Sequence, residues 1–294
     1  MHSYLRAIGF SRLKTKSNQN KLITAALNNA TNKFEIGIGS ESRLVQINRS
    51  FGNNFGLSIV GEYDNENMFH LDNSFPYCLG SYITAQPDIQ IERYIDKESY
   101  SGISDNYDLG ITLIYYLQNI VDYVKNNWVN NLYKKPKKVK FGALSIDGRI
   151  IYGVHLEYIA NPYDKKPISN KDRRNLIAKA KLGDLDALEN LTLDDMDTYS
   201  LASKRIKDED LFTVIETYFM PYGINNEEYS ILGIIKNIEQ IVNEFSDEMV
   251  YNLTIDCNDI IINVVINSLD LQGEPKIGRR FKGIIWLQGY VEFI

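Results

Sequence analysis

Four residues near the end of the chain have the side-chain chemistry that binding to single-stranded nucleic acid requires. They are Arg280, Lys282, Trp286 and Tyr290. Because a β-strand turns successive side chains to opposite faces, their even numbers place all four on one face. Cationic side chains neutralise phosphates, and indole and phenol rings stack on nucleobases. The sequence therefore predicts a ligand-binding surface here. The alternative interpretation is that the same face packs against the helical segment or the N-terminal sheet of the chain.

The opposite face of this segment has the pattern of a core-facing β-strand. Every second residue is apolar or glycine: Phe281, Gly283, Ile285, Leu287, Gly289, Val291 and Phe293. Strands in globular proteins are usually shorter than this segment. We therefore expect a bend or a β-bulge at Gly283 or Gly289.

The sequence does not contain a recognisable pairing of a catalytic nucleophile with a base. Its three histidines, His2, His70 and His155, lie in unrelated segments. There is no Gly-x-Ser-x-Gly motif, and neither Cys78 nor Cys257 lies among residues that would activate a thiol. We therefore predict no catalytic residue, and an enzyme is the less favoured class.

Phosphate and metal sites are not indicated either. The glycine pair Gly37-Ile38-Gly39 has no third glycine after it, so it matches neither the dinucleotide fingerprint nor the phosphate-binding loop. Acidic residues gather at 184–186 and 194–197, where helix starts account for them because carboxylates favour helix N-termini. We predict no metal and no cofactor. The segment Glu92–Tyr100 mixes charges with tyrosines, which is typical of a pocket wall or of a solvated strand edge.

Composition limits the classes of partner. The chain has 294 residues, a net charge of −6 and a pI near 5.3, so its overall field does not attract nucleic acid or anionic membrane. Its two cysteines are far apart and cannot build a disulfide framework, which favours a reducing compartment. No apolar run approaches the roughly 18 residues of a membrane span, and the first residues do not match a signal peptide. We expect a cytoplasmic protein.

Residues 1–160 are predicted to form an α+β domain. Apolar residues at helical spacing predict a helix over 18–29 and a long helix over 109–128. Asp147-Gly148 predicts a hairpin turn between two apolar runs, 139–146 and 149–156. The expected architecture is a mostly antiparallel sheet packed on the long helix. Alternating patterns between turn residues predict its further strands over 34–38, 44–47, 57–63, 68–71 and 88–94.

The remaining chain is predicted to form a connector and a second domain. Two prolines and the lack of apolar periodicity place a linker over 161–170, and cap-like residues predict helices from 169 and 192. Residues 161–210 are thus a linker and helical connector. From 211 to 294 the pattern predicts four or five strands, with a bend at Gly233, which resemble a small OB-like β-barrel; an SH3-like barrel has a similar pattern. The predicted fold class is α+β.

Several short strings along the chain together resemble one protein family. They are Leu5–Phe10, Lys97–Tyr100, Tyr116–Asn119, Leu191–Asp194, Asp197–Tyr199, Thr217–Gly223, Gly278–Gly283 and Ile285–Gly289. The family consists of uncharacterised proteins from anaerobic Gram-positive bacteria, a domain of unknown function, and the resemblance spans nearly the whole chain. It implies a cytosolic bacterial protein with a single architecture. It implies no activity, ligand or catalytic residue.

Three functional hypotheses follow from these observations. The sequence favours a protein of unknown function that binds or scaffolds without catalysis. The first alternative is a single-stranded nucleic-acid binder that uses the C-terminal barrel. The second is an enzyme with a site between the domains, near Glu92–Tyr100. The partner is expected to be another protein or single-stranded nucleic acid, and not a membrane.

Overall fold

The computed structural model consists mainly of β-strands in two sheets, with few helices. It describes residues 2–13, 15–38, 42–85, 89–94, 98–106, 111–129, 135–152, 170–193, 196, 215–224 and 226–293. The strands are β1 (Asn32–Ile38), β2 (Ser42–Gly52), β3 (Phe55–Tyr63), β4 (Phe69–Cys78), β5 (Ile83–Ala85), β6 (Gln90–Arg93), β7 (Tyr100–Asn106), β8 (Ile111–Leu117), β9 (Pro136–Ile151), β10 (Tyr218–Pro221), β11 (Glu228–Val242), β12 (Met249–Cys257), β13 (Ile260–Asn267), β14 (Leu271–Gln272) and β15 (Arg280–Phe293).

The helices are short. They are α1 (Lys16–Asn28), α2 (Ile120–Val124), α3 (Asn170–Lys181), a π-helical turn over Lys125–Val129, 3₁₀ turns over Ser3–Arg6 and Ser268–Asp270, and a further helical stretch over 185–193. No helix in the described ranges is long and apolar enough to cross a membrane. The linker predicted over 161–170 lies outside the described residues except for Asn170, where α3 begins, and most of the helix predicted from 192 lies outside them as well.

The small sheet is an antiparallel meander of β1, β2, β3 and β4, in which each strand pairs with the next along the chain. The four strands predicted in this part of the chain are confirmed, although β2 and β4 extend further than the patterns indicated. The predicted turn after β3 is also present, and Asn67 there adopts a φ of 61°, which asparagine tolerates better than most residues.

The first helix packs on the small sheet. The helix predicted over 18–29 is present, but α1 begins two residues earlier, at Lys16. The Thr15 hydroxyl accepts a hydrogen bond from the Asn18 backbone N–H, which satisfies a donor at the helix start. Its buried residues, Leu22 and Ala26, lie one helical turn apart and face the strands, and the partly buried Ile23 and Leu27 pack beside them.

The large sheet draws strands from both ends of the sequence. Its order is β10-β11-β12-β13-β9-β15-β8-β7-β6, and β11 pairs additionally with β15. The adjacent central strands β9 and β15 pair antiparallel over nearly their whole length. β13 pairs parallel to the other edge of β9, and β8 pairs parallel to β15. Strands from 1–160 and from 211–294 therefore share one sheet.

The long helix predicted over 109–128 is wrong. Residues Ile111–Leu117 form the strand β8, and helical structure begins only at Ile120. Leu117 lies four positions after Leu113, and this spacing places both side chains on one face of either a helix or a strand. The strand prevails because Tyr115 lies between them on the same buried face, and β-branched and aromatic residues favour strands. The small sheet consequently packs on α1 and the short α2 instead.

The hairpin predicted at Asp147-Gly148 is also wrong. β9 continues through both residues, which pair with Ile284 and Gly283 of β15. A Cβ atom at position 148 would lie 2.5 Å from the ring of Phe281, so the glycine marks a close approach within a strand instead of a turn. The extra residue of a β-bulge, Ile146, lies immediately before this pair.

The core face predicted for β15 is confirmed. Phe281, Ile285, Leu287 and Val291 are fully buried, and they join one cluster of apolar side chains that includes residues of both sheets. The predicted bend in β11 is supported by its pairing, since Ile234 faces Arg280 of β15 on one side and Asp256 of β12 on the other. A register shift between Ile235 and Asn237 follows directly.

Candidate functional site

A cleft of about 510 Å³ lies where the small sheet meets β9 and β15. Residues from all four strands of the small sheet contribute to it, together with the segment between β8 and α2. Amide side chains dominate its wall: Asn32, Gln46, Asn48, Asn54, Gln118 and Asn119. Aromatic, hydroxyl and charged side chains complete it: Phe34, Phe75, Tyr77, Tyr290, Ser58, Ser81, Asp122, Lys140 and Glu292. The volume lies within the range of about 300–1,000 Å³ that is usual for small-molecule sites.

The two sheets approach each other very closely at one end of this cleft. A Cβ atom at Gly142 of β9 would lie 1.8 Å from the backbone oxygen of Cys78, at the end of β4. Only glycine permits this contact without displacing one of the strands. The approach fixes the position of the small sheet relative to β9, and hence the position of one cleft wall.

A chain of buried glutamines runs behind the cleft and joins the sheets. The Gln288 amide on β15 is oriented by two bonds, because its Oε1 accepts from the Cys78 N–H at 3.0 Å and its Nε2 donates to the Pro76 oxygen at 2.8 Å. Gln118 then donates from Nε2 to Gln288 Oε1 at 2.8 Å and to the Cys78 oxygen at 2.6 Å. These bonds leave one possible orientation for each amide.

The third glutamine extends the chain to the small sheet. Gln46 on β2 donates from Nε2 to Ser58 Oγ at 2.9 Å and to the backbone oxygen of Gln118 at 2.6 Å. Its Oε1 accepts from the Val121 N–H at 3.3 Å. Gln46, Gln118 and Gln288 are all buried. Because buried polar networks are strengthened by low dielectric and are costly to break, this chain makes the wall of the cleft rigid.

Two acceptors of this wall remain unused by the protein. The Oε1 of Gln118 and the Oδ1 of Asn48 are buried atoms that accept no hydrogen bond from any described residue. Gln118 is 4% exposed, and its Nε2 donates to two acceptors. Turning the amide over would place Oε1 against these two oxygens and would break both hydrogen bonds. An unsatisfied buried acceptor costs roughly 1–3 kcal/mol. Both acceptors belong to residues that line the cleft, but both oxygens are closed to solvent in this conformation. The half-buried Asn48 side chain would have to turn before its Oδ1 could meet a bound molecule.

The charged groups of the cleft are already engaged. Lys140 Nζ lies 2.8 Å from Glu292 Oε1, and the Tyr290 hydroxyl donates to Asp122 Oδ2 at 3.3 Å. Burial, and then the nearby Asp122 carboxylate, raise the pKa of Tyr290 to about 12. Asn119 fixes the same strand from the other side, since it donates to the Val291 oxygen and accepts from the Val291 N–H. The cleft therefore offers amides, and not free ions, to a ligand.

Arg280 and Trp286, two of the four residues predicted to bind a ligand, are covered by the protein itself. Arg280 is 3% exposed, and its guanidinium donates to the backbone oxygens of Tyr152 and Ile215, at 3.0 and 2.8 Å. Burial lowers its pKa. Trp286 is 6% exposed, and its ring packs against those of Tyr4 and Tyr116, with centroids 5.5 and 5.0 Å apart.

The other two predicted residues lie apart from each other along β15. Lys282 is half-buried and pairs in register with Arg149 of β9 and Leu232 of β11. Tyr290 is half-buried and lines the cleft. The four predicted residues consequently do not share one open surface, and Tyr290 alone contributes to the cleft wall.

The segment Glu92–Tyr100, predicted as a possible pocket wall, forms a compact set of contacts outside the cleft. Arg93 pairs with Glu98, whose Oε2 accepts from the Tyr100 hydroxyl at 2.9 Å. Tyr94 donates to Glu227, and burial, then that hydrogen bond, raise the pKa of Tyr94 to about 12. Residues 95–97 lie outside the described ranges. Within those ranges, no three His, Cys, Asp or Glu side chains gather as they do around a metal ion.

The residues that matter most in the cleft were not predicted, although a signal was present. Gln118, Asn119 and Gln288 lie inside two of the strings that carry the family resemblance, Tyr116–Asn119 and Ile285–Gly289. Both strings place an uncharged amide directly after aromatic and apolar residues. A buried amide in an otherwise apolar strand must find partners, and that requirement points to a network.

A scan against protein-family models places the chain in a family. The family described as "Domain of unknown function, E. rectale Gene description (DUF3881)" matches residues 5–289. The chain belongs to this family, which confirms the resemblance to an uncharacterised family of anaerobic Gram-positive bacteria. No match was found among curated proteins or among solved structures. These comparisons assign no activity, so the function has to be argued from the cleft.

Proposed function

We propose that this protein is a non-catalytic binding protein that holds a small polar molecule in the cleft between its two sheets. The observation that carries the proposal is Asn48, which lines the cleft and whose half-buried side chain can turn to present to a ligand an Oδ1 that has no donor among the described residues. Stable proteins seldom keep such an atom unless something else satisfies it. A ligand with N–H or O–H groups would supply the missing hydrogen bond.

Binding is favoured over catalysis by the state of the ionisable groups in the cleft. General acid–base chemistry needs a group that exchanges protons near neutral pH and is free to reach the substrate. The lining contains neither histidine nor cysteine, and its lysine is paired with Glu292. Burial raises the pKa values of its two tyrosines, Tyr77 and Tyr290, to about 12, and the Tyr290 hydroxyl is bonded to Asp122. A cleft of paired charges and many amides suits recognition.

We also propose that five strands close into an OB-like barrel that supports one wall of the cleft. β11 pairs with β15 through its first half and with β12 through its second half. β13 follows β12, and β9 joins β13 to β15. These pairings support a ring in the order β11, β12, β13, β9 and β15. OB-folds are five-stranded barrels that bind oligonucleotides and oligosaccharides.

The same pairings bear on the proposed domain division. In this proposal the unit formed by 211–294 takes β9 from the unit formed by 1–160, and 161–210 connects the two. The cleft then lies at the junction of the barrel and the small sheet, with Lys140 of β9 and Tyr290 of β15 on the barrel side. Small-molecule sites are frequently found at such junctions.

The experiment compares ligand binding by two asparagine variants. A library of small polar fragments is screened by saturation-transfer NMR against the natural protein, Asn48→Ala and Asn65→Ala. Asn48 lines the cleft, whereas Asn65 is exposed in the turn between β3 and β4. We expect one or more fragments to bind the natural protein and Asn65→Ala, and to lose at least tenfold in affinity for Asn48→Ala.

The stability of the variants distinguishes a lost contact from a lost fold. Because Asn48 Oδ1 has no partner among the described residues, removing it should leave the free energy of unfolding unchanged or raise it by up to about 1 kcal/mol. The proposal fails if no fragment binds, or if every fragment that binds the natural protein binds Asn48→Ala equally well.

A further inference from the structure

We infer that the molecule bound in the cleft is a neutral sugar. The inference rests on the proposed function and adds to it the chemical class of the ligand. Three observations carry it: the kind of hydrogen-bonding groups left unused, the balance of charge, and the aromatic side chains on the wall.

The unused groups call for a ligand that both donates and accepts hydrogen bonds. Asn48 is half-buried at the cleft wall, and turning its side chain would present the unpaired Oδ1 to a donor of the ligand. Asn32 and Asn54 line the same cleft, and each amide carries two N–H donors beside its oxygen. A hydroxyl group donates one hydrogen bond and accepts others, so neighbouring hydroxyls of one sugar ring can satisfy amide oxygens and amide N–H groups at the same time.

The charge of the cleft argues against an anionic ligand. Its ionisable side chains other than tyrosine are Asp122, Glu292 and Lys140, which leave one negative charge in excess. The only lysine is bound to Glu292 at 2.8 Å. A phosphate or carboxylate in the cleft would therefore meet repulsion and would have to break this pair. Nucleotides and sugar phosphates are disfavoured for the same reason.

The aromatic side chains suit the apolar faces of a sugar ring. Phe34 projects from the edge strand β1 and is 37% exposed, so part of its ring is open to contact. Tyr290 lies on the opposite, barrel side of the cleft and is half-buried. Aromatic side chains provide a large contact area at a low cost in conformational entropy. Two such rings beside an amide-rich wall distinguish this cleft from a site for a small ion.

The experiment measures binding of neutral probes from three classes by calorimetry and by ¹⁵N chemical shifts. The probes are methyl glycosides of glucose, galactose, mannose and N-acetylglucosamine, the nucleosides uridine and adenosine, and a blocked dipeptide; glucose 6-phosphate is the charged comparator. We expect at least one glycoside to bind and to shift the side-chain amide resonance of Gln118. Affinity should fall at least tenfold in Asn48→Ala and be largely retained in Asn48→Asp, which keeps an acceptor oxygen.

Each other outcome counts against the inference in a different way. If a nucleoside or the dipeptide binds with the same dependence on Asn48 and no glycoside does, the ligand class is wrong and the proposed function stands. If glucose 6-phosphate binds more tightly than methyl glucoside, the charge argument is wrong. If no probe or fragment of any class binds in a manner that depends on Asn48, both proposals are overturned, and ordered water satisfies the two acceptors.

Discussion

Gln118 donates a 2.8 Å hydrogen bond to Gln288, although 170 positions separate the two residues in the chain. One lies between β8 and α2, and the other lies in the middle of β15. With Gln46 they form a continuous line of amides from the small sheet to the centre of the large one. Core packing of apolar residues would hold the sheets together without them. The hydrogen bonds between the amides fix the orientation of each side chain, and they leave the Oε1 of Gln118 without a donor in the cleft wall.

Replacing Gln118 with alanine should destabilise the protein by about 2–4 kcal/mol, because the Cys78 oxygen and Gln288 Oε1 each lose a buried donor. Urea denaturation measures the free energy of unfolding. The matched control is Gln240→Ala, because this glutamine is exposed and its Nε2 lies at a long 3.4 Å from the Tyr251 hydroxyl. The effect of this change should stay below about 0.5 kcal/mol. Equal effects of the two changes would contradict the importance of the glutamine chain.

Replacing Arg280 with alanine should cost about 2–4 kcal/mol, because its guanidinium binds the backbone oxygens of Tyr152 and Ile215 in a buried position. Arg280→Lys should recover little of this loss, since an ammonium group cannot reproduce the planar fork. The neighbouring Arg279 is a fitting control, because its side chain is partly exposed and bonds to the local Glu274. Thermal denaturation that shows the same loss for Arg279→Ala would speak against a structural role specific to Arg280.

The indole of Trp286 should report burial and not nucleic acid. A Trp128→Phe variant leaves Trp286 as the only tryptophan of the chain. Because that ring is 6% exposed and packs on Tyr4 and Tyr116, we expect blue-shifted emission that iodide quenches poorly. Single-stranded oligonucleotide at low salt should leave the emission unchanged. Strong quenching by oligonucleotide, lost as salt rises, would instead support the nucleic-acid hypothesis.

The two thiols should be inert in the folded protein. Burial raises the pKa of Cys78 and of Cys257 to about 12, from an ordinary value of 9.0. Ellman's reagent at pH 8 should therefore detect no fast-reacting thiol before denaturation and two after it. One thiol that reacts in the folded protein at the rate of a simple peptide would contradict the burial of that cysteine.

The same shifts fix the direction of the pH dependence. A folded-state pKa above the unfolded value means that folding favours the protonated thiol, so this stabilisation is complete below pH 9 and is lost as the pH rises towards 12. The buried Tyr229 and the half-buried Tyr290, whose pKa values are raised to about 12, act in the same direction above pH 10. The midpoint of urea unfolding should accordingly fall steadily above pH 9. A midpoint that is constant from pH 8 to 11 would argue against these shifts.

Strand positions and the core face of β15 could be predicted because period-two patterns are local. The same local logic fails at β8 and at Gly148. Leu113 and Leu117 fit a helix and a strand equally, and only pairing with β7 and β15 decides between them. Gly148 has the sequence context of a turn, yet the ring of Phe281, far away in the chain, is what requires a glycine there.

For the binding face predicted on β15, the local pattern identifies the face but not its surroundings. Alternation correctly separates Arg280, Trp286 and Tyr290 from the core face, but it does not say what lies opposite them. Contacts from the N-terminal turn, from residues after 214 and from the small sheet cover that face in three separate places. The cleft depends on the same long-range contacts. The sequence therefore shows its glutamines but does not predict that they lie next to one another in the fold.

The position of β9 between β13 and β15 has a consequence for how the chain is made. Its main partners, β13 and β15, are synthesised long after it. Before they emerge, only the three-residue strand β5 can pair with β9, so most of β9 stays unpaired on a growing polypeptide. Contacts this distant in sequence slow folding and expose unpaired strands to association with other molecules. A fragment that stops at residue 160 should therefore aggregate where the full chain stays monodisperse, which light scattering would detect.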